Sequence, residues 1–151
     1  MSFVPDSIVL HTLAFEGDAS AADIDRWHRE RGFSQIGYHL YIRRSGQIEK
    51  GRDFNTIGAH CKAAGMNRRS IGIAFEGHGD FEPWTSEQAD TFYRKTYREL
   101  RMQFGIMPER VFGHCEFDSG KTCPGKLIDM SEVRERLITR YSSKKSHASE
   151  K

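Results

Sequence analysis

Two histidines and one cysteine of this sequence have the composition of a metal site. His11 ends an apolar run, Ile8-Val-Leu, that predicts a buried strand, and a buried polar ring costs free energy unless it has a partner. His114 and Cys123 flank a loop nearer the other end of the chain. Zinc takes imidazole nitrogen and thiolate sulfur, and three protein ligands leave a fourth position open for water. The set therefore fits one catalytic zinc ion, although His11 taken alone is better explained as a hydrogen-bonded core histidine.

Cys115 is an alternative sulfur ligand. It directly follows His114 in the sequence, and adjacent side chains of an extended segment point to opposite sides. If His114 faces the metal, Cys115 therefore faces away from it, and we rank Cys123 first.

Four further polar residues could serve such a site. Tyr38 lies in a half-buried strand, either as a packing aromatic or as a phenol that hydrogen-bonds the attacking water or the reacting carbonyl. Lys121 lies two residues before Cys123, so its ammonium could stabilise an oxyanion if Cys123 binds metal. His60 and Asn67 lie in a loop, where they either contact substrate or are simply solvated.

Strands that alternate with helices must bring these distant residues together. Apolar runs predict buried strands over residues 7–13, 70–75 and 110–112, and period-two alternation predicts a strand over 38–42. Ser45 and Gly46 form a turn after the last of these, and Ile48 lies on the return strand of a hairpin. Residues 52–69 are predicted to form a loop.

Capping residues mark the predicted helices. The first helix begins at Ser20, with Asp23 completing a capping box, and stops at Gly32. The longest helix is capped by Thr85 and ends at Gly105. Its inner face is predicted from four residues at helical spacing: Phe92, Thr96, Leu100 and Phe104. A last helix is predicted over residues 131–141.

This order of elements predicts an α/β fold. We expect a single domain with a mixed, mostly parallel central sheet, flanked by helices and carrying one hairpin. Active sites of α/β sheets gather at the carboxyl ends of the strands, which is where His11 is predicted to lie. The domain is predicted to span residues 1–141, followed by a disordered polar tail over 142–151.

Composition excludes several classes of protein. The 23 Lys and Arg residues nearly balance the 21 Asp and Glu residues, and a net charge of +2 does not indicate a nucleic-acid partner. An odd count of 3 cysteines predicts free thiols. The sequence has no signal-peptide pattern and no run of about 18 apolar residues, so we expect no membrane insertion. We expect a monomer made in the cytoplasm, which needs separate export or a pore to reach any target outside.

The motifs of this chain together resemble those of the type-2 N-acetylmuramoyl-L-alanine amidase family, which includes phage amidase-type lysozymes and peptidoglycan recognition proteins. The resemblance covers about residues 7–141 and is nearest to the phage amidases. The motifs occur in the family's order: Ile8-Val-Leu-His11, Ile24-Asp-Arg-Trp-His28, Ile36-Gly-Tyr38-His39, Gly58-Ala-His60, Ser70-Ile-Gly-Ile, Gly113-His114 and Lys121-Thr-Cys123-Pro-Gly.

The resemblance implies a role for each matching position. The metal ligands would be His11, His114 and Cys123, and the catalytic pair would be Tyr38 and Lys121. Some relatives carry a glutamate where this chain has Ala74, and we do not transfer that role to Glu76. Cys115 beside the histidine of the Gly-His motif is a further departure.

The function implied is zinc-dependent hydrolysis of the amide between N-acetylmuramic acid and L-alanine in bacterial peptidoglycan. We expect a phage or prophage endolysin that acts on peptidoglycan or muropeptides, with His60 and Asn67 in the wall of the substrate groove. The alternatives are a peptidoglycan-binding module without activity and a cytoplasmic amidase that recycles muropeptides. A regulatory interaction with another protein stays open as a second role.

Overall fold

A five-stranded mixed sheet forms the centre of the computed structural model, which describes residues 3–142. The strands are β1 (Ser7–Thr12), β2 (Leu40–Ile42), β3 (Ile48–Lys50), β4 (Ser70–Phe75) and β5 (Val111–Gly113). Their order across the sheet is β3-β2-β4-β1-β5. All neighbouring pairs are parallel except the β2–β3 hairpin, which is antiparallel. The predicted fold class is therefore confirmed.

The interior strand β1 is buried along its whole length. It pairs with β4 on one side and β5 on the other, with His11 opposite Ala74 in the β4 register. A strand that is buried on both faces has a nearly continuous run of apolar residues, and this explains the apolar sequence of β1. His11 lies one residue before the carboxyl end of this strand.

Helices cover both faces of the sheet. They are α1 (Ala21–Glu30), α2 (Ser86–Thr91), α3 (Tyr97–Phe104) and α4 (Met130–Tyr141), and a π-helical segment (Phe92–Thr96) joins α2 directly to α3. The larger core lies between the sheet and the α2–α3 and α4 helices, where Leu10, Ile73 and Leu100 pack together. On the opposite face, Ile24 of α1 packs with Tyr41 and Ala74. The side chain of His11 shares this second face with Ala74, because the strands are in register.

The predicted helix ends agree with the structure. Ser20 and Thr85 each form a complete capping box at the start of a helix, and Gly105 ends α3 in the left-handed conformation. The β2–β3 hairpin turns at Ser45 and Gly46 as predicted. The predicted strand over 110–112 lies one residue later, at Val111–Gly113.

Three local features differ from the predictions. The strand predicted over 38–42 begins only at Leu40, so Tyr38 lies in the segment before β2. The region 52–69, predicted as loop, contains a 3-10 segment (Ala63–Arg68). The predicted long helix contains the π-helical segment, which adds a residue to one turn without breaking the helix. Within the described residues, no helix has the length and apolar character to cross a bilayer. The disordered tail was predicted over residues 142–151. Only Ser142 of this range lies within the described residues.

Candidate functional site

A group of three side chains that could hold a metal ion lies at the carboxyl ends of β1 and β5. It consists of His11, His114 and Cys123, whose candidate ligand atoms all lie within 4.8 Å of one another. The Nδ1 atom of His11 is 3.6 Å from the sulfur of Cys123, and the rings of His11 and His114 are 4.8 Å apart between centroids. His11 comes from the interior strand β1, whereas the other two residues come from the segment that follows β5. The parallel pairing of β1 and β5 therefore brings distant parts of the chain together.

The loop that carries Cys123 is fixed from several sides. Its sulfur accepts a hydrogen bond from Thr12 N–H at 3.0 Å, and Cys115 N–H donates to the Cys123 carbonyl at 2.8 Å. Gly79 and Gly125 pass in such close contact that a Cβ on either would overlap the other segment. The loop is therefore held by Thr12 of β1, by Cys115 after β5 and by Gly79 after β4, which leaves the sulfur little freedom to move.

The turn that carries His114 is anchored to α4. Glu116 accepts a hydrogen bond from Gly113 N–H at 2.9 Å and receives both terminal guanidinium nitrogens of Arg134 at 2.8 and 2.9 Å. Such a two-point contact fixes orientation as well as distance. The position of His114 thus depends on helix α4 as well as on strand β5.

The ionisation states suit metal binding. Burial lowers the pKa of His11 well below its usual value, and the charges of His60 and His114 lower it further. Burial also lowers the pKa of His114, while the Asp118 carboxylate opposes the change. Both imidazoles are therefore neutral near pH 7, as a metal ligand requires.

Cys123 is the sulfur ligand of this three-residue group. Burial raises the pKa of its thiol to about 12, against the opposing hydrogen bond from Thr12 N–H. A coordinated cation takes such a thiol as the thiolate. Two neutral imidazoles and one sulfur are the donor set of an open, three-ligand zinc site, so the residues present fit this metal.

Tyr38 lies beside the group. Its ring centroid is 5.1 Å from that of His11 and 5.5 Å from that of His28. Burial, followed by the nearby Cys123 sulfur, raises the pKa of the Tyr38 phenol well above its usual value, so the hydroxyl keeps its proton and can donate it in a hydrogen bond. Of the described residues, none accepts a hydrogen bond from this hydroxyl.

The group lies in a cleft of ≈ 750 Å³. Every residue predicted from the sequence for the site lines this cleft, including Lys121, His60 and Asn67. The Lys121 side chain is exposed, and its charge lowers the pKa values of His114 and Cys123 as a lesser contribution. The structure thus brings the predicted residues together, while their individual roles stay predictions.

His60 and Asn67 also make internal contacts. The His60 Nδ1 atom is 2.8 Å from His11 Nε2, on the side of the His11 ring away from Cys123. The Asn67 side-chain oxygen accepts hydrogen bonds from the backbone N–H groups of His60 and Cys61 at 2.8 and 2.7 Å. Burial lowers the pKa of His60 to about 3, partly offset by a hydrogen bond to the Ser70 backbone.

No carboxylate lies beside His11 on β4. Its register partner there is Ala74. The carboxylate of Glu76 accepts hydrogen bonds from Ala19 N–H, Arg44 N–H and the Arg43 guanidinium at 2.8 to 3.0 Å. These three hydrogen bonds hold Glu76 between two loops. They agree with leaving Glu76 out of the predicted catalytic residues.

His28 is one of the cleft residues that were not selected from the sequence. It accepts a hydrogen bond from Gly37 N–H on Nδ1 at 2.9 Å, next to the Tyr38 ring. This contact joins the last turn of α1 to the segment that carries Tyr38. The available signal was the four-residue spacing of His28 from Ile24, which places both on the inner face of α1.

The fold and the site together define an α/β protein with a three-ligand candidate metal centre in an open cleft. Residues 2–126 match the family model described as N-acetylmuramoyl-L-alanine amidase, and the chain belongs to this family. It is 42% identical over 123 residues to an endolysin of Klebsiella phage KP32, with 81% of this chain and 80% of the relative covered.

Solved structures show the same fold. The amidase LysC from Clostridium intestinale superposes with a TM-score of 0.81 at 34% identity, over 89% of this chain and 86% of LysC. A Drosophila peptidoglycan recognition protein, PGRP-LB, in complex with tracheal cytotoxin superposes with a TM-score of 0.74 at 26% identity, over 86% of this chain and 80% of its own. These relatives place the chain among peptidoglycan amidases of the phage endolysin type.

Proposed function

We propose that this protein is a zinc-dependent endolysin that hydrolyses the amide between N-acetylmuramic acid and L-alanine in bacterial peptidoglycan. The observation that carries the proposal is the complete His11, His114 and Cys123 group, open to a cleft that Tyr38 and Lys121 also line. Family membership supplies the reaction class. The complex of PGRP-LB with tracheal cytotoxin supports peptidoglycan fragments as ligands of this cleft.

The metal ligands, Tyr38 and Lys121 have separate roles in the proposed reaction. His11, His114 and Cys123 would hold the zinc ion, which when bound would supply Lewis-acid polarisation of the amide carbonyl and an activated water. Tyr38, which keeps its phenolic proton, donates a hydrogen bond to the reacting oxygen or to the attacking water. Lys121 stabilises the negative charge that develops on the carbonyl oxygen in the tetrahedral transition state.

The charges of the cleft suit an anionic substrate and disfavour glycosidase chemistry. Among its described lining residues, Arg31, Lys62 and Lys121 are cationic and Asp118 alone is acidic. Glycoside hydrolysis ordinarily needs two carboxyl groups that flank the scissile bond. The carboxylates of the peptide stem would instead meet positive charge here, with His60 and Asn67 in the groove wall.

The complete ligand set favours an enzyme over a module that only binds peptidoglycan. Such a module has no need to keep three metal ligands together at neutral charge. We propose a monomer whose catalytic domain spans residues 1–141, made in the cytoplasm and delivered to the wall by a separate export or pore mechanism. A cytoplasmic recycling amidase would differ in preferring soluble muropeptides over intact wall.

The test is a digest of purified Gram-negative peptidoglycan and, in parallel, of soluble muropeptides. We expect new free amino groups on alanine and no new reducing sugar ends. Activity should disappear with a chelator and return with zinc. New reducing ends without new amines would contradict the proposed bond, and activity that persists in the metal-free protein would contradict the zinc requirement. Faster cleavage of soluble fragments than of intact wall would favour the recycling role.

A further inference from the structure

The two ring nitrogens of His11 face different partners. Nδ1 points toward the metal group, 3.6 Å from the Cys123 sulfur, and Nε2 lies 2.8 Å from Nδ1 of His60. A neutral imidazole carries one proton, so only one of its nitrogens can bind a metal. The partner of Nε2 therefore decides whether Nδ1 is free to act as a ligand.

The contacts on the far side of His60 fix the direction of this hydrogen bond. The Ser70 hydroxyl donates its proton to the Met66 carbonyl at 2.6 Å, so toward His60 it can only accept. His60 Nε2 lies 3.5 Å from this hydroxyl oxygen, at the long end of hydrogen-bond distance. Because the hydroxyl can only accept on this side, the His60 proton lies on Nε2.

The remaining nitrogen of His60 is consequently an acceptor. With its proton on Nε2, the neutral ring offers a lone pair on Nδ1, which accepts the Nε2–H of His11. His11 then carries its own proton on Nε2 and presents the lone pair of Nδ1 to Cys123 and His114. Met66, Ser70, His60 and His11 thus form one chain of hydrogen bonds with a single direction.

The ring of His60 occupies a slot with no spare room. A Cβ at Gly72 on β4 would lie 2.5 Å from this ring, and a Cβ at Gly58 would lie 2.6 Å from it. Asn67 holds the backbone N–H of His60 from the other direction. Two glycines and a side-chain amide therefore fix the position of the ring.

We propose that His60 is a positioning residue that sets the tautomer and orientation of His11 for metal binding. The proposal rests on the metal site proposed above and adds to it a residue that does not bind the metal. Outer partners of metal-bound histidines typically change metal affinity by roughly 10- to 100-fold when removed. This role is separate from the substrate contact proposed for His60 in the groove wall, and the experiments below distinguish the two.

The first experiment compares two substitutions of similar size. His60→Asn can keep an oxygen acceptor near the place of Nδ1, whereas His60→Leu fills the slot without an acceptor. The measurement is zinc affinity of the purified metal-free protein, by competition with a chelating dye. We expect His60→Leu to weaken zinc binding by roughly 10- to 100-fold and His60→Asn to recover most of the loss. Equal zinc affinity in the wild type and both folded variants would overturn the proposal.

The second experiment reads the tautomer directly and needs no variant. In the metal-free wild-type protein, ¹⁵N NMR of the imidazole nitrogens should show His11 protonated on Nε2 and His60 protonated on Nε2. His11 protonated on Nδ1 would overturn the proposal even if the Leu variant failed to fold. In folded His60→Leu, we expect the Nδ1-protonated form of His11 to become populated.

These readouts separate the proposal from the proposed function. Zinc affinity and tautomer are measured without substrate, so an inactive wild-type protein that follows the expected pattern would refute the amidase and leave the role of His60 standing. A His60→Leu variant with unchanged zinc affinity but weaker binding to peptidoglycan would establish substrate contact and refute the positioning role.

Discussion

Two residues from different parts of the chain bring hydrogen-bond donors to the metal group. Tyr38 follows α1 and packs its ring against His11, whereas Lys121 lies in the loop that leads to Cys123. Neither is among the three candidate metal ligands. Each can therefore be removed without removing a ligand, which makes the catalytic step separable from metal binding.

We expect Tyr38→Phe and Lys121→Ala to slow turnover strongly while leaving the protein folded and zinc-loaded. Loss of one oxyanion donor costs roughly 100- to 1000-fold in turnover. Tyr38→Phe keeps the ring that packs on His11, and the Lys121 side chain is exposed. The measurements are turnover, zinc content and peptidoglycan binding on the same preparations.

An interaction made mainly in the transition state lowers turnover more than affinity, so peptidoglycan binding should change little. Lys126→Ala is a matched control, since Lys126 is another exposed lysine of the same loop and does not line the cleft. Normal turnover in either test variant would remove that residue from the mechanism. Loss of zinc would instead show that the residue is structural.

At the scale of elements, Glu76 joins three segments just beyond the end of β4. Its carboxylate accepts hydrogen bonds from Ala19 ahead of α1 and from Arg43 and Arg44 after β2. Burial raises the pKa of this carboxyl, but the Arg43 side chain and the backbone donors outweigh it, so the pKa is lowered overall. The charged form therefore stabilises the fold.

We expect Glu76→Gln to lower the free energy of unfolding by on the order of 2 kcal/mol at pH 7, because it removes a buried carboxylate that accepts charge-assisted hydrogen bonds and leaves Arg43 with Glu49 as its remaining charge partner. A group with a depressed native pKa contributes stability above its unfolded value and loses it as pH falls. The difference between wild type and variant should therefore shrink as the pH drops below about 4.5, the ordinary value for this side chain.

Denaturant unfolding across this pH range tests the expectation. Asp18→Asn is the matched control, since Asp18 also pairs with Arg44 but its side chain is 89% exposed. Exposed pairs contribute about 0 to 1 kcal/mol. Equal effects of the two substitutions would show that Glu76 is not a special link between these segments.

Most elements of this fold could be predicted from local patterns. Capping boxes at Ser20 and Thr85, the turn at Ser45 and Gly46, and the apolar run of β4 are all encoded within a few residues. The π-helical segment (Phe92–Thr96) was not predicted. A π-helical turn holds about one residue more than an α-helical turn, and the four-residue spacing of Phe92, Thr96 and Leu100 is compatible with either.

The candidate ligands could be predicted from residue type and family resemblance, whereas their supporting contacts could not. His11, His114 and Cys123 belong to the few side chains that bind zinc. The contact of His60 with His11 joins residues 49 positions apart, and that of Thr12 with Cys123 joins residues 111 apart. Such pairings depend on sheet order and loop packing, which no short motif specifies.

At the scale of the whole molecule, the metal group joins the first strand to the loop after the last one. The three ligands converge only when β1 pairs with β5 and the loop of Cys123 packs on Thr12. The unfolded chain therefore has no preformed site. A ligand that binds only the native state stabilises it by an amount that grows with ligand concentration.

We expect zinc at 100 times its dissociation constant to raise the free energy of unfolding by about 2.7 kcal/mol. Cys123→Ser should abolish this increase, because a hydroxyl is a poor zinc ligand. Cys115→Ser should retain it, since Cys115 is not part of the group. The measurement is denaturant unfolding with zinc and with a chelator. Loss of the zinc effect in Cys115→Ser, but not in Cys123→Ser, would show that the sulfur ligand is misassigned.

The separation of these ligands along the chain has a consequence for biosynthesis. His11 and Cys123 are 112 residues apart, and ribosomes add about 5–20 residues per second. His11 is therefore made roughly 6 to 22 seconds before the sulfur that completes its group. Until Cys123 is added, the growing chain carries strand β1 and its histidine without the sulfur ligand. Translation of the segment after β5 thus decides when a newly made molecule can first hold its metal.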